Sequence, residues 1–264
     1  MKKLLLLVAL TMIASMPVIA QQKFTLFGGG SFAVGKFGDS DMDFNNNGTE
    51  WGLVSEEDEG GAGIGASLGV MWQYGFPSAS GLSLTLSADV ILNLLNSNVN
   101  EWYDDMIEET EKAETVTEVL VKKPRYLNVP VMAGLQYSTS LKDNVNIYFE
   151  GAIGFNIRNI TEAETETKGY TVDPLDPTFR YNYNQKETST FDKMTSFAFR
   201  VGGGLIINDK YTIGVGYYNL GKGRVRGDDK QSLTNVSGRT TDKQSFKYKN
   251  VVPTLVMVRI GYIF

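Results

Sequence analysis

The last fourteen residues, Val251 to Phe264, alternate apolar side chains with small or polar ones and end on an aromatic. Seven segments upstream share this period of two, and the connections between the eight are alternately long and short. In lipid every backbone N–H and C=O must pair within the protein, so such a set predicts a closed membrane barrel. The predicted fold is all-β: an eight-stranded antiparallel transmembrane β-barrel with short periplasmic turns and long extracellular loops.

Each predicted strand exceeds the roughly 9–11 residues that a tilted strand needs to cross a bilayer. The spans are Phe24–Lys36, Gly61–Tyr74, Leu82–Leu95, Pro124–Tyr137, Val145–Arg158, Phe191–Ile207, Tyr211–Lys222 and Val251–Phe264. Three short connections carry turn residues, namely Gly75–Gly81, Ser138–Asn144 and Asn208–Lys210. Four long polar ones are Phe37–Gly60, Asn96–Lys123, Asn159–Thr190 and Gly223–Asn250. Both termini would then lie on the periplasmic side.

The N-terminus predicts export. Met1-Lys2-Lys3 is followed by an apolar run from Leu4 to Ala14, by Pro17 and by the small-residue site Val18-Ile19-Ala20. This order is typical of a secretory signal peptide, and its apolar run is too short for a spanning helix. The alternative is a short N-terminal anchor. We therefore expect a signal peptide at 1–20, a barrel domain at 21–264, and a location in the outer membrane of a Gram-negative bacterium.

Composition excludes several kinds of chemistry. The 264 residues include no His and no Cys, which excludes histidine-based serine hydrolysis, cysteine nucleophiles, ordinary zinc sites, disulfides and lipoprotein anchoring. The formal net charge is −5, which argues against a nucleic-acid partner because such partners require a basic face. We expect no enzymatic activity, no cofactor and no metal.

Alternation also assigns the faces of the strands. In the fifth span Phe149, Ile153 and Phe155 point one way, and Glu150 and Arg158 point the other. We expect the apolar set to contact lipid. A soluble barrel would place it inward around a ligand, but the opposite face is rich in glycine and charge, which disfavours that inversion. Inward glycines would relieve crowding in a lumen that eight strands make narrow.

Four inward charges are predicted to share one layer of the lumen. Asp89, Glu150, Arg200 and Arg259 lie five or seven residues from the periplasmic ends of their strands. An unpaired charge there would cost several kcal/mol, so two acids and two arginines should form one network, with Glu150–Arg200 on neighbouring strands as its main pair. One interpretation is a structural plug that closes the lumen and fixes the strand register. The other is a gate whose re-pairing opens a narrow path for small solutes.

The first long connection has the spacing of a calcium loop. Its oxygen-bearing side chains fall at positions 1, 3, 5, 7, 9 and 12 of that pattern: Asp39, Asp41, Asp43, Asn45, Asn47 and Glu50. However, Phe44 replaces the glycine at position 6, and no helices are expected on either side. A solvated acidic loop is the favoured interpretation.

The outer connections also differ in charge. Phe37–Gly60 contains eight acids and no base, Asn96–Lys123 contains eight acids and three bases, and Lys222–Asn250 contains eight bases and three acids. A short acidic helix is predicted within Glu101–Glu118. Closure brings the first and last connections together, so we expect them to form a salt-sensitive clasp over the mouth. The alternative is that the basic connection binds lipopolysaccharide phosphates or an acidic partner.

Three segments together resemble the PorT-type outer-membrane barrel family, which is similar in scale to the small OmpX and OmpW barrels. They are Phe24-Thr25-Leu26-Phe27-Gly28-Gly29-Gly30, Arg125-Tyr126-Leu127-Asn128-Val129-Pro130-Val131 and Val258-Arg259-Ile260-Gly261-Tyr262-Ile263-Phe264. The resemblance implies assembly by the outer-membrane barrel machinery, which would read Tyr262 and Phe264 in the terminal strand. Some members of this family assist protein secretion.

Taken together, these observations predict a non-enzymatic integral outer-membrane barrel with a side-chain-filled lumen. It would act as a structural or interaction protein through its charged outer loops, in a secretion- or envelope-related role. Its expected partners are the lipid bilayer, lipopolysaccharide, the barrel assembly machinery and a protein bound by the outer loops. The alternative is a porin-like, narrow gated channel for small solutes.

Overall fold

The chain folds mainly into antiparallel strands. The structure is a computed structural model that describes residues 22–39 and 60–264 except 174 and 177, with the backbone alone described for 246–250. Within these residues we find thirteen strands, one α-helix and a 3-10 turn at Gly35–Phe37. Their bounds are β1 (Gln22–Ala33), β2 (Ala62–Gly75), β3 (Leu82–Leu95), α1 (Ser97–Glu111), β4 (Val116–Lys122), β5 (Tyr126–Lys142), β6 (Val145–Ile160), β7 (Ala163–Val172), β8 (Arg180–Phe191), β9 (Met194–Ile207), β10 (Tyr211–Asn219), β11 (Gly223–Asn235), β12 (Gly238–Val251) and β13 (Thr254–Ile263).

Eight strands close into a barrel in the order β1-β2-β3-β5-β6-β9-β10-β13, with every neighbouring pair antiparallel. The predicted fold is therefore confirmed, and each predicted span corresponds to one barrel strand. The largest difference is in the fourth span, where β5 continues to Lys142. The following turn is correspondingly tight, and Asn144 adopts a φ of 63°, which asparagine tolerates better than most residues.

The two faces of the barrel strands are as predicted. On β6, Phe149 is 58% exposed and Phe155 63% exposed, whereas Glu150 and Arg158 are buried. The same alternation continues along β9 and β13. Because neighbouring side chains of a strand point to opposite faces, a continuous apolar surface surrounds an interior of polar side chains, glycines and buried apolar clusters.

The outer connections contain a second sheet that the sequence analysis described only as long polar loops. Five strands form it in the order β12-β11-β8-β7-β4. Each continues a barrel strand after a short break: β4 with β5, β7 with β6, β8 with β9, β11 with β10 and β12 with β13. We call this structure the outer sheet. It extends the wall of the barrel beyond five of the eight membrane strands.

Ion pairs cross between strands on the outward face of the outer sheet. Lys168 Nζ lies 2.7 Å from Glu118 Oε2, and Lys186 Nζ lies 2.6 Å from Glu164 Oε1. The hydrogen bond from Lys168 to Glu118 raises the pKa of that lysine. Because solvent screens pairs as exposed as these, they contribute little to the stability of the fold. They mainly favour the observed pairing of strands over alternatives that would place like charges opposite each other.

Helix α1 lies at the outer mouth of the barrel. Asn96 caps its first turn, because its side chain accepts a hydrogen bond of 2.9 Å from the backbone N–H of Val99. Val99 and Tyr103, four residues apart on one face of the helix, are buried with Tyr126 in the apolar cluster of the upper lumen. The predicted acidic helix is therefore present, although it ends at Glu111, before the β4 strand that contains Glu118. Among the described residues, no helix is both long and apolar enough to cross a membrane.

Candidate functional site in the barrel lumen

Four strands carry the predicted lumen charges to one level. Asp89 lies on β3, Glu150 on β6, Arg200 on β9 and Arg259 on β13, and all four side chains are buried inside the barrel. They point inward because the residues before and after each of them along its strand face the lipid. The structure thus brings together all four residues that the sequence analysis selected. We call these four residues the charge layer.

Glu150 is the centre of the charge layer. Arg200 Nη2 donates a hydrogen bond of 3.2 Å to Glu150 Oε2, and Arg200 Nε lies 3.2 Å from Oε1 of the same carboxylate. Arg259 Nη2 donates to Oε1 as well. Arg200 Nη1 lies 3.5 Å from Asp89 Oδ2. One carboxylate therefore bridges two arginines, and the second carboxylate balances the remaining positive charge.

Two aromatic rings complete this layer. The Arg200 guanidinium donates a hydrogen bond of 3.3 Å from Nη1 to the Tyr218 hydroxyl. The Arg259 guanidinium lies 4.8 Å from the centroid of the Phe27 ring, a distance suited to a cation–π interaction. Neither aromatic residue was predicted from the sequence as part of this site. Alternation could have found Tyr218, because it shares its face with the inward Gly214 and Gly216.

Apolar side chains lie on both sides of the charge layer. Towards the periplasmic end, Tyr148, Ile206 and Ile263 form a small buried cluster. Towards the outer end, a larger cluster reaches from the barrel interior to helix α1 and includes Met132 and Met257. The charge layer is therefore separated from both mouths by packed side chains, which fits the narrow interior of an eight-stranded barrel.

A fifth inward charge lies higher in the lumen. Arg158 was placed on the inward face by alternation but was not counted among the lumen charges, and its side chain is fully buried. Its guanidinium donates to two backbone carbonyls, that of Val251 at 3.1 Å and that of Gly221 at 3.0 Å. Gly221 lies between barrel strand β10 and outer strand β11, and Val251 ends outer strand β12 just before barrel strand β13. Among the described residues, no carboxylate forms an ion pair with it. Arg158 therefore fixes the junction between the barrel and the outer sheet.

The other predicted site residues lie elsewhere. Tyr262 and Phe264 are at the periplasmic end of the last strand, with their ring centroids 4.9 Å apart on the lipid-facing side. The calcium-loop spacing, except for Asp39, falls outside the described residues, as do the signal peptide and most of the first connection that would form the clasp. In the part of the chain that the structure describes, no group of acidic side chains is arranged to hold a metal ion.

The end of the outer sheet furthest from the barrel carries exposed apolar side chains. Leu175 is 94% exposed, and Phe179 and Val236 are also largely exposed. Beside them lies an open groove of about 400 Å³, whose lining carries no formal charge: Thr171, Tyr181, Tyr183, Gln185, Leu233, Asn235 and Val236. We call Leu175, Phe179 and Val236 the apolar tip. Exposed apolar groups gathered at one place often mark a binding surface.

A closed barrel with an apolar exterior and a polar interior is the architecture by which strands cross a membrane. Short turns at one end and long extensions at the other are typical of bacterial outer-membrane barrels. The protein is therefore a small eight-stranded β-barrel of the outer membrane of a Gram-negative bacterium.

Several solved structures resemble the chain distantly. No model of a known protein family matches the chain, and no curated protein matches it significantly. Among solved structures, the outer membrane protein OprG from Pseudomonas aeruginosa has a TM-score of 0.41 and 14% identity, covering 92% of this chain and 96% of that one. Ail, the attachment invasion locus protein of Yersinia pestis, has a TM-score of 0.35 and 10% identity, covering 93% and 100%. A major outer membrane protein from Thermus thermophilus has a TM-score of 0.33 and 14% identity, covering 92% and 99%.

Proposed function

We propose that the protein is a non-enzymatic outer-membrane barrel with a closed lumen, which acts by binding a partner through its outer sheet. The observation that carries this proposal is the Glu150 carboxylate between two buried arginines, with packed apolar side chains above and below. A buried network whose members balance in charge is expensive to open, because each separated ion would pay its desolvation cost again. The charge layer then serves as a plug.

Conductance across a planar bilayer tests the plug. We expect the purified wild-type barrel to show no steady channel, because passage of an ion requires separating Glu150 from Arg200 and Arg259 and displacing the apolar layers. A steady wild-type current that Glu150→Ala alters would contradict the plug and support the gate. Glu164→Ala, which removes a carboxylate from the outer sheet only, is the matched control. Like the wild type, it should show no steady channel.

The gated channel is the second candidate function. It is favoured by one detail of the charge layer: Asp89 Oδ2 is within ion-pair distance of Arg200 but makes no hydrogen bond to it. A carboxylate held this loosely could exchange one arginine for the other. In that case Asp89→Asn would change the wild-type current, whereas under the plug there is no current to change.

The apolar tip supports a protein partner bound outside the cell. We expect cross-linking in native membranes to capture a partner with the wild-type chain, and to lose it with Leu175→Ser/Phe179→Ser. Leu120→Ser is the control, because Leu120 is an exposed apolar residue of the same sheet but lies on β4, away from the tip. Capture that survives the double substitution, or that Leu120→Ser abolishes equally, would contradict this assignment. A secretion- or envelope-related role, membership of the PorT-type family and assembly through Tyr262 and Phe264 belong to the same proposal.

A further inference from the structure

Basic residues of the outer sheet fall into two groups that differ in their partners. Those on the paired part of the outward face are matched by carboxylates, as in Lys168 with Glu118 and Lys243 with Asp228. Other exposed bases form no hydrogen bond or ion pair with any described side chain. Two of them, Lys230 and Arg239, lie further from the barrel along β11 and β12. The other four lie at the end of the outer sheet next to the barrel: Lys193, Lys222, Arg224 and Arg226, which we call the rim cluster.

The backbone brings the rim cluster together. Lys193 lies between β8 and β9, and the neighbouring Asp192 donates its backbone N–H to the carbonyl of Arg226 over 2.9 Å. Arg224 and Arg226 alternate on β11 with the fully buried Val225, so both point outward. Lys247 of β12 is the register partner of Arg226. Asp192 is the one acid within the stretch from 191 to 194 and leaves the group strongly positive.

The rim cluster lies directly beyond the lipid-facing surface. Along β9 the outward residues run from Val201 through Phe199 and Phe197 to Thr195, and the exposed Lys193 precedes this strand in the short connection from β8. Phe197 is ten residues from the periplasmic end of β9, which corresponds to about 33 Å along the strand, or about 25 Å of membrane height at the usual tilt. That is the full height of the apolar band of such barrels. Lys193, about 13 Å further along the strand, therefore reaches the level of the lipid headgroups.

Unpaired cations at this level have a specific chemical complement. Outer-leaflet lipids carry phosphate groups immediately above their acyl chains, and arginine binds phosphate through two parallel N–H donors. Basic side chains that extend from an apolar surface can keep their stems in the lipid boundary while their charges reach the headgroups. The acyl chains would lie on the exposed rings of Phe197, Phe199 and Tyr217 just below.

We propose that the rim cluster is a binding site for the phosphorylated headgroup of an outer-leaflet glycolipid, whose acyl chains lie on the aromatic surface beneath it. The site is independent of the lumen plug and rests only on the membrane-spanning fold. It orients one side of the barrel, that of β9 and β10, towards anionic lipid. This assigns to particular residues the lipopolysaccharide contact that the charge of the last connection suggests.

Native mass spectrometry of the folded mature barrel with added bisphosphorylated lipid A tests the site. We expect lipid A to bind the wild type, and the apparent affinity of Arg224→Gln/Arg226→Gln to be about thirtyfold weaker. Each base near an anionic surface contributes about 1 kcal/mol of binding free energy, and the loss of two bases converts to that factor. The matched control is Lys230→Gln/Arg239→Gln, which removes two exposed bases from β11 and β12 further from the membrane. The control should bind as the wild type does, and binding should weaken with added salt.

Two further binding measurements identify which part of the lipid the site recognises. Lipid A from which both phosphates have been removed should bind the wild type as weakly as the phosphorylated lipid binds the Arg224→Gln/Arg226→Gln variant. Inorganic phosphate at the same concentration should not displace the lipid. Equal losses in the two double variants, undiminished binding of the dephosphorylated lipid, or displacement by free phosphate would each overturn the proposal. Heat-modifiable gel migration of every variant separates loss of the site from loss of the barrel.

Discussion

Glu150→Ala is expected to destabilise the folded barrel by about 3–5 kcal/mol, the usual effect of removing one partner from a buried charge pair. The substitution removes the carboxylate that Arg200 and Arg259 share, and leaves both guanidinium groups buried with Asp89 as their one acid. The loss is large because the two cations then repel each other without a bridging anion. It should appear as a lower urea midpoint in the unfolding of the lipid-reconstituted protein.

A double variant separates charge imbalance from simple loss of packing. Glu150→Met/Arg200→Met removes one acid and one base, so Asp89 and Arg259 remain as a balanced pair. We expect it to be more stable than Glu150→Met alone, which is a coupling that independent sites would not give. Glu164→Ala, which breaks an exposed pair with Lys186, should leave the urea midpoint close to that of the wild type. Equal midpoints for Glu150→Ala and wild type would show that the charge layer does not stabilise the fold.

The barrel and its charge layer were predictable from the sequence for the same reason. A strand buried on one face and in lipid on the other repeats its chemistry every two residues, so the position of one residue assigns its neighbours. Counting from the short turns then placed Asp89, Glu150, Arg200 and Arg259 at one height, and the structure brings them together. The register that this count assumes follows from tight turns such as the one at Asn144.

The outer sheet was not predictable in the same way. In the β7 segment Thr165-Glu166-Thr167-Lys168 both faces are polar, so the alternation that marks a half-buried strand is absent. These strands form because each continues a barrel strand that already holds its neighbour at the correct spacing. Arg158 contributes to this continuity through its bonds to Val251 and Gly221, a long-range contact that no local pattern indicates. Where a segment has no hydrophobic alternation, as in the outer sheet, its contacts with the rest of the fold therefore determine its structure.

A pair of glycines below the charge layer should be as sensitive as the charges. Gly204 and Gly214 face each other across β9 and β10, and Tyr148 stands opposite Gly204 on β6. A Cβ built at Gly214 would overlap the Tyr148 hydroxyl, so the tyrosine ring extends across both glycines. The ring fills the lumen there and packs with Ile206 and Ile263. The Tyr148 ring fits there because neither glycine has a side chain.

Gly214→Val is accordingly expected to cost about 1–3 kcal/mol through overpacking and to reduce the folded fraction on heat-modifiable gels. Gly151→Val is the control, because a Cβ at Gly151 has no neighbour within 4 Å and points into lipid. Tyr148→Ala should recover part of the stability when combined with Gly214→Val, since it vacates the volume that valine enters, although alone it should destabilise by leaving a cavity. If Gly214→Val and Gly151→Val unfold at the same urea concentration, the ring does not depend on the glycines, and crowding does not limit the lumen at this level.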